Sequence, residues 1–159
     1  MRAGDLRRRA LAAALAAFSL ACGGEPDTPE AAVRRTLAAI EEAAGAKDVG
    51  AMVEHVSVDY ADPQGNDQEA VRRIAAFHLL RNQSVHTLVR LREVTIAEPG
   101  RAEADALVAM AGTEIPDADV LATVRADLYR FAVTLREEEP GVWRVTSATW
   151  HPATRDDFR

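Results

Sequence analysis

Asp127-Leu128-Tyr129-Arg130-Phe131-Ala132-Val133-Thr134-Leu135 alternates strictly, with Tyr129, Phe131, Val133 and Leu135 on one parity and Leu128, Arg130, Ala132, Thr134 and Arg136 on the other. Successive side chains of a strand point to opposite faces, so this period reads as a half-buried strand. Asp127 heads the apolar row, where a carboxylate is costly to desolvate without a partner or a role. Glu137-Glu138-Glu139-Pro140-Gly141 reads as a solvated turn, and Val142 to Trp150, rich in Val, Thr and Trp, as the returning strand. A long hairpin with one apolar face needs cover, and the segments before it can supply helices.

Working back from the hairpin, Arg101 to Ala111 alternates again, with Ala102, Ala104, Ala106, Val108 and Met110 on one face. Glu98-Pro99-Gly100 turns into it. From Val85 the period is two, but Val85, Thr87, Val89 and Leu91 share one parity while Val94 and Ile96 share the other. Such a phase slip predicts a bulge near Arg92-Glu93. Gly112 to Asp119, stopped by Pro116, is the loop between the two hairpins.

Before residue 85 the period is helical. Thr28-Pro29-Glu30 supplies an N-cap, a proline at the first helical position and an acid in the first turn. Val33, Leu37, Ile40 and Ala44 then make an amphipathic helix from 29 to about 46. Lys47-Asp48 breaks and re-caps it, and Val49, Met52, Val53 and Val56 form a shorter stripe. Pro63 disfavours helix just before it, so Ser57 to Pro63 is extended. Asn66 with Glu69 reads as a capping box for a third helix whose stripe is Val71, Ile74, Phe77 and His78, ending near Arg81.

The first residues have another purpose. Arg2, Arg7, Arg8 and Arg9 precede the apolar run Ala10 to Ala21, which is too short to span a bilayer and reads as a secretory signal. The run ends in Phe18-Ser19-Leu20-Ala21-Cys22-Gly23-Gly24, which resembles the bacterial lipoprotein processing box and holds the chain's only cysteine. The resemblance implies acylation of Cys22 after removal of residues 1–21, a tether over 22–28 and a membrane partner through the acyl chains. It places the protein on the periplasmic face of the envelope, with Gly23 favouring the outer membrane.

The whole chain of 159 residues is 48% hydrophobic and 28% charged, globular in balance and long enough for one cored domain. Loss of residues 1–21 removes four arginines and Asp5, taking the formal net charge from −6 to −9. That charge repels nucleic acid and anionic headgroups. His55, His78, His86 and His151 are scattered without metal-ligand spacing, and no glycine loop or nucleophile elbow is present, so neither metal nor cofactor is expected.

Three helices followed by a four-stranded antiparallel meander is an α+β order. Over residues 29–152, with 153–159 as a tail, it resembles the nuclear transport factor 2-like (cystatin-like) superfamily, a cone in which a curved sheet wraps the first helix. Lys47-Asp48-Val49, Ala61-Asp62-Pro63-Gln64-Gly65, Gly141-Val142-Trp143-Arg144-Val145 and Trp150 carry the likeness. Within it, Asp62 and Asp127 match the general base and the oxyanion-stabilising acid of ketosteroid isomerases, and Trp150 a pocket aromatic. The tyrosine those enzymes carry on the first helix is absent; Thr36, Leu37, Ala39, Ile40 and Ala43 stand there. One oxyanion donor is typically worth ~100-fold or more. The expected function is therefore non-catalytic binding of a small apolar ligand or a protein partner, in a pocket lined by Ile40, Tyr60, Phe77, Tyr129, Phe131 and Trp150. An isomerase or dehydratase using Asp62 and Asp127 is the alternative, and a second copy paired through the sheet is a further candidate partner.

Overall fold

The computed structural model describes residues 28–81 and 84–159, so the leader, Cys22 and most of its tether lie outside the described residues. Thr28 caps α1 (Pro29–Gly45) by accepting the Ala31 N–H at 3.2 Å. Lys47 then takes a left-handed conformation, φ 58°, and Asp48 caps α2 (Val49–Glu54) through the Ala51 N–H at 2.9 Å. The extended passage after α2 bridges to the sheet at Val56 and Val145 and is tied again by the Ala61 N–H on the Thr146 carbonyl at 3.0 Å. It leads to α3 (Gln68–Leu80), capped by Asp67 on the Ala70 N–H at 2.7 Å. The capping box expected at Asn66 is therefore one residue off, because the Asn66 side chain is committed to Asp62.

Four antiparallel strands follow in the order β1 (His86–Glu98), β2 (Arg101–Ala111), β3 (Ala126–Glu139) and β4 (Val142–Pro152). With the three helices they make an α+β fold in which a curved sheet wraps the first helix. The expected bulge in β1 lies between Leu91 and Glu93. β3 runs through Glu137 and Glu138 to Glu139, leaving Pro140-Gly141 as the turn, so the three glutamates are not a solvated loop. Glu137 accepts the Gly141 N–H at 2.7 Å, and Glu138 accepts from the buried Ser57 hydroxyl at 2.5 Å and Arg144 at 2.9 Å. The Ser57 hydroxyl, then Arg144, hold the Glu138 carboxyl below the usual range against the opposing effect of burial.

A second bulge, in β4, was hidden in the sequence. Leu135 pairs with Val145 but Thr134 with Ser147, so Thr146 is the extra residue. Before it, Trp143 and Val145 point into the core with Val33, Ala102 and Leu135. Beyond it the parity inverts, and Ala148 and Trp150 face the space under the helices.

The outer face of the sheet has a core of its own. Leu107, Ala109 and Ala111 sit on the parity opposite Ala102, Ala104 and Ala106, yet both sets are buried. Ile115, Leu121 and Phe158 cover the outer set. The tail, residues 153–159, turns back in a short 3₁₀ turn, Arg155–Phe158, with a capping box between Thr154 and Asp157. Arg155 donates to the Leu121 carbonyl at 2.5 Å, and Arg90 to the carbonyl of Phe158. Among the described residues the buried hydrophobics run from Ala31 to Phe158, so this stretch closes its own core.

Candidate functional site

Between the helices and the inner sheet face lies a cavity of about 450 Å³. α1 contributes Leu37, Ile40 and Glu41 to its lining, and α3 contributes Val71, Ile74 and His78. The sheet adds Val89, Leu91, Val108, Tyr129, Phe131, Val133, Ala148 and Trp150, and Tyr60 enters from the passage before α3. The strand period explains the last wall: Tyr129, Phe131 and Val133 share one parity, and Trp150 lies opposite Phe131 in register. Their rings form a continuous surface, with Tyr129 edge-on to Phe131 at 6.3 Å and Phe131 stacked on Trp150 at 6.0 Å.

Of the residues expected to line a pocket, Ile40, Tyr60, Tyr129, Phe131 and Trp150 do so. Phe77 does not: it is 57% exposed, edge-on to His78 and under the Arg81 guanidinium at 5.2 Å. The inward stripe of α3 is Val71, Ile74, Ala75, His78 and Leu79, at spacings of three and four, and Phe77 falls off it.

The two acids do not meet there. Asp62 is 8% exposed and acts as the clamp of its own turn. Its carboxylate accepts the backbone N–H of Gln64 and of Asn66, each at 2.9 Å, the Asn66 amide at 2.8 Å and the Tyr60 hydroxyl at 3.1 Å. Burial pushes this carboxyl up, but the bonds from Asn66, Tyr60 and Gln64 together outweigh it and hold the group below its ordinary value. A carboxylate so occupied is a weak base with few lone pairs left for a substrate proton. Burial, then the Asp62 charge and its hydrogen bond, push the Tyr60 hydroxyl up in turn.

Asp127 is exposed and pairs with Met110 near the open end of the sheet. It lines a separate surface groove with Leu128, Tyr129 and the segment from Pro152 to Asp156. Strand rise places it two residues, about 7 Å, beyond Tyr129. Its register partner Met110 still lines the cavity, but Asp127 itself does not. Arg130 turns to the outer face and pairs with Asp105.

One carboxyl on the cavity wall escaped the sequence reading. Glu41 lines the cavity from α1, and burial pushes it above the usual carboxylate range, tempered by a hydrogen bond from the Val89 N–H. The available signal was its spacing, four residues after Leu37 and three before Ala44, which puts a charge on the apolar stripe of α1. Among the described residues, no three His, Cys, Asp or Glu side chains gather as a metal ligand set.

No family model matches the chain, and no curated protein matches it. Solved structures do. A ketosteroid isomerase-like protein from Erwinia carotovora atroseptica superposes with a TM-score of 0.59 at 13% identity, over 79% of this chain and 96% of that one. A candidate dehydratase of the nuclear transport factor 2-like family from Streptomyces avermitilis gives 0.61 at 15% identity, over 81% and 99%. A protein with a cystatin-like fold from Caulobacter vibrioides gives 0.61 at 17% identity, over 79% and 90%. At such identities the likeness is one of fold.

Proposed function

We propose that this chain, whose fold is that of the nuclear transport factor 2-like proteins, is an exported, lipid-anchored binding module that takes a small apolar ligand into its cavity. The observation that carries this reading is the cavity itself: about 450 Å³, walled by aliphatic side chains and one stacked aromatic surface, with a few polar groups. Preformed apolar concavities with few polar groups are the usual form of small-molecule sites. The acid–base alternative is weaker, because Asp62 is held by four hydrogen bonds and Asp127 borders the surface groove and does not line the cavity.

The neutral fluorophore N-phenyl-1-naphthylamine should bind the mature chain from Cys22 onward saturably. Ala148→Trp, which pushes an indole from β4 into the cavity, should weaken it by at least about tenfold, the equivalent of ~1.4 kcal/mol. Fluorescence titration decides it: no saturable binding, or equal binding by the filled variant, would remove the ligand reading.

The address rests on Cys22 and the run before it. A single acyl chain holds a membrane only marginally, so stable anchoring calls for more than one on this cysteine. In a bacterial host, Cys22→Ser should lose incorporation of labelled palmitate and leave the outer-membrane fraction. Unchanged fractionation of that variant would end the lipoprotein reading while leaving the cavity untouched.

A further inference from the structure

Glu41 is the one carboxyl among the residues lining the cavity, beside the polar groups of Arg34, Tyr60, His78 and Thr87. Arg34 lines the cavity from α1, but its guanidinium is committed to Glu30 on the exposed side of the helix, at 2.8 and 3.1 Å. Tyr60 gives its proton to Asp62 at 3.1 Å and accepts from the Ala148 backbone, so it has at most one lone pair to offer the cavity. Glu41 is acceptor-only when ionised, with about four lone-pair positions, and the Val89 N–H takes one. A wholly apolar guest would strip water from this carboxylate without replacing the lost hydrogen bonds, which is costly. An anionic guest would face its charge directly. An ammonium brings three donors and the opposite charge, and its hydrocarbon body suits the wall of Phe131, Val133 and Trp150.

We propose that Glu41 anchors the head group of an amphiphilic primary amine whose apolar body fills the cavity. This rests on the reading of the cavity as a ligand site and names the class of ligand it prefers. The acidic surface of the chain, at −9 without the leader, would steer a cation toward the mouth. His78, on the α3 side, is the other cavity residue able to carry a positive charge besides Arg34, and it is varied separately.

The test is displacement of N-phenyl-1-naphthylamine from the mature chain by decylamine, decanol and decanoate. Decylamine should compete at a concentration on the order of tenfold lower than decanol, the worth of one charge-assisted contact, and decanoate should be the weakest. Glu41→Gln should abolish the advantage of the amine while leaving decanol unchanged, which also shows that the variant is folded. His78→Gln should keep the advantage. An equal ranking of amine and alcohol in the unaltered chain overturns the inference, as does an advantage that survives Glu41→Gln or disappears in His78→Gln. Failure of the fluorophore to bind at all overturns the ligand reading and this inference with it, whereas binding without preference for the amine overturns this inference alone.

Discussion

Trp143→Ala will cost on the order of 3–5 kcal/mol of unfolding free energy, the range for truncating a large buried aromatic. Trp143 is 1% exposed and lies in the cluster of Ala32, Val33, Leu135 and Val145 where α1 meets the sheet. Its carbonyl accepts the Thr36 hydroxyl at 3.3 Å, so the indole and its own backbone tie the same two layers. Its Nε1–H is buried without a hydrogen-bond partner. Trp143→Phe should therefore stay within about 1.5 kcal/mol of the unaltered chain, since the smaller ring loses some packing but relieves a desolvated donor. Urea titrations of both variants check this. Equal losses for Ala and Phe would mean that the indole N–H is satisfied and that packing is not the main term.

Phe158→Ala is expected to cost about 3 kcal/mol, at the lower end of the aromatic range because the last turn can fray instead of holding a cavity open. Phe158 is 1% exposed against Leu107, Ala109 and Leu121. Phe77→Ala, at a ring that is 57% exposed, should cost under ~1 kcal/mol. Denaturant titration gives both values, and carboxypeptidase digestion reports whether the terminal segment has been released. A loss below 1 kcal/mol at Phe158, with the terminus still protected, would show that Ile115 and Leu121 hold the outer face without it. Release would also uncover an apolar patch on the outer face of the sheet, and pairing of two copies through the sheet stays a proposal.

Most of the scaffold was legible because local chemistry and tertiary demand agree. Thr28-Pro29 and Asp48 cap helices through their own side chains, Pro99-Gly100 and Pro140-Gly141 turn the hairpins, and the phase slip at Arg92 is a bulge. The bulge at Thr146 was silent because Val142 to Trp150 offers strand formers on both parities, so nothing marks the inversion. Phe158 was silent because one aromatic in a polar terminal stretch has no period to reveal it. The site was read less well than the scaffold. Asp62 sits in a motif that serves a turn as well as it serves chemistry, and hydrogen bonding decided for the turn. Asp127 has the right parity, but parity says nothing of how far the helices reach along a strand. Glu41 shares the stripe of Leu37 and Ala44, but spacing alone does not say that this stripe borders a cavity.

The bulge at Thr146 keeps the chain's two tryptophans on the same inner face of β4, at different places along it. Trp143 is sealed in the dry core, while Trp150 stands on the cavity wall. The molecule thus carries two optical channels that need no label. Trp143 should emit at short wavelength and report unfolding; Trp150 should change intensity when the cavity fills. Trp143→Phe isolates an occupancy signal and Trp150→Phe a folding signal, so the two events can be timed independently in the same few micrograms of protein.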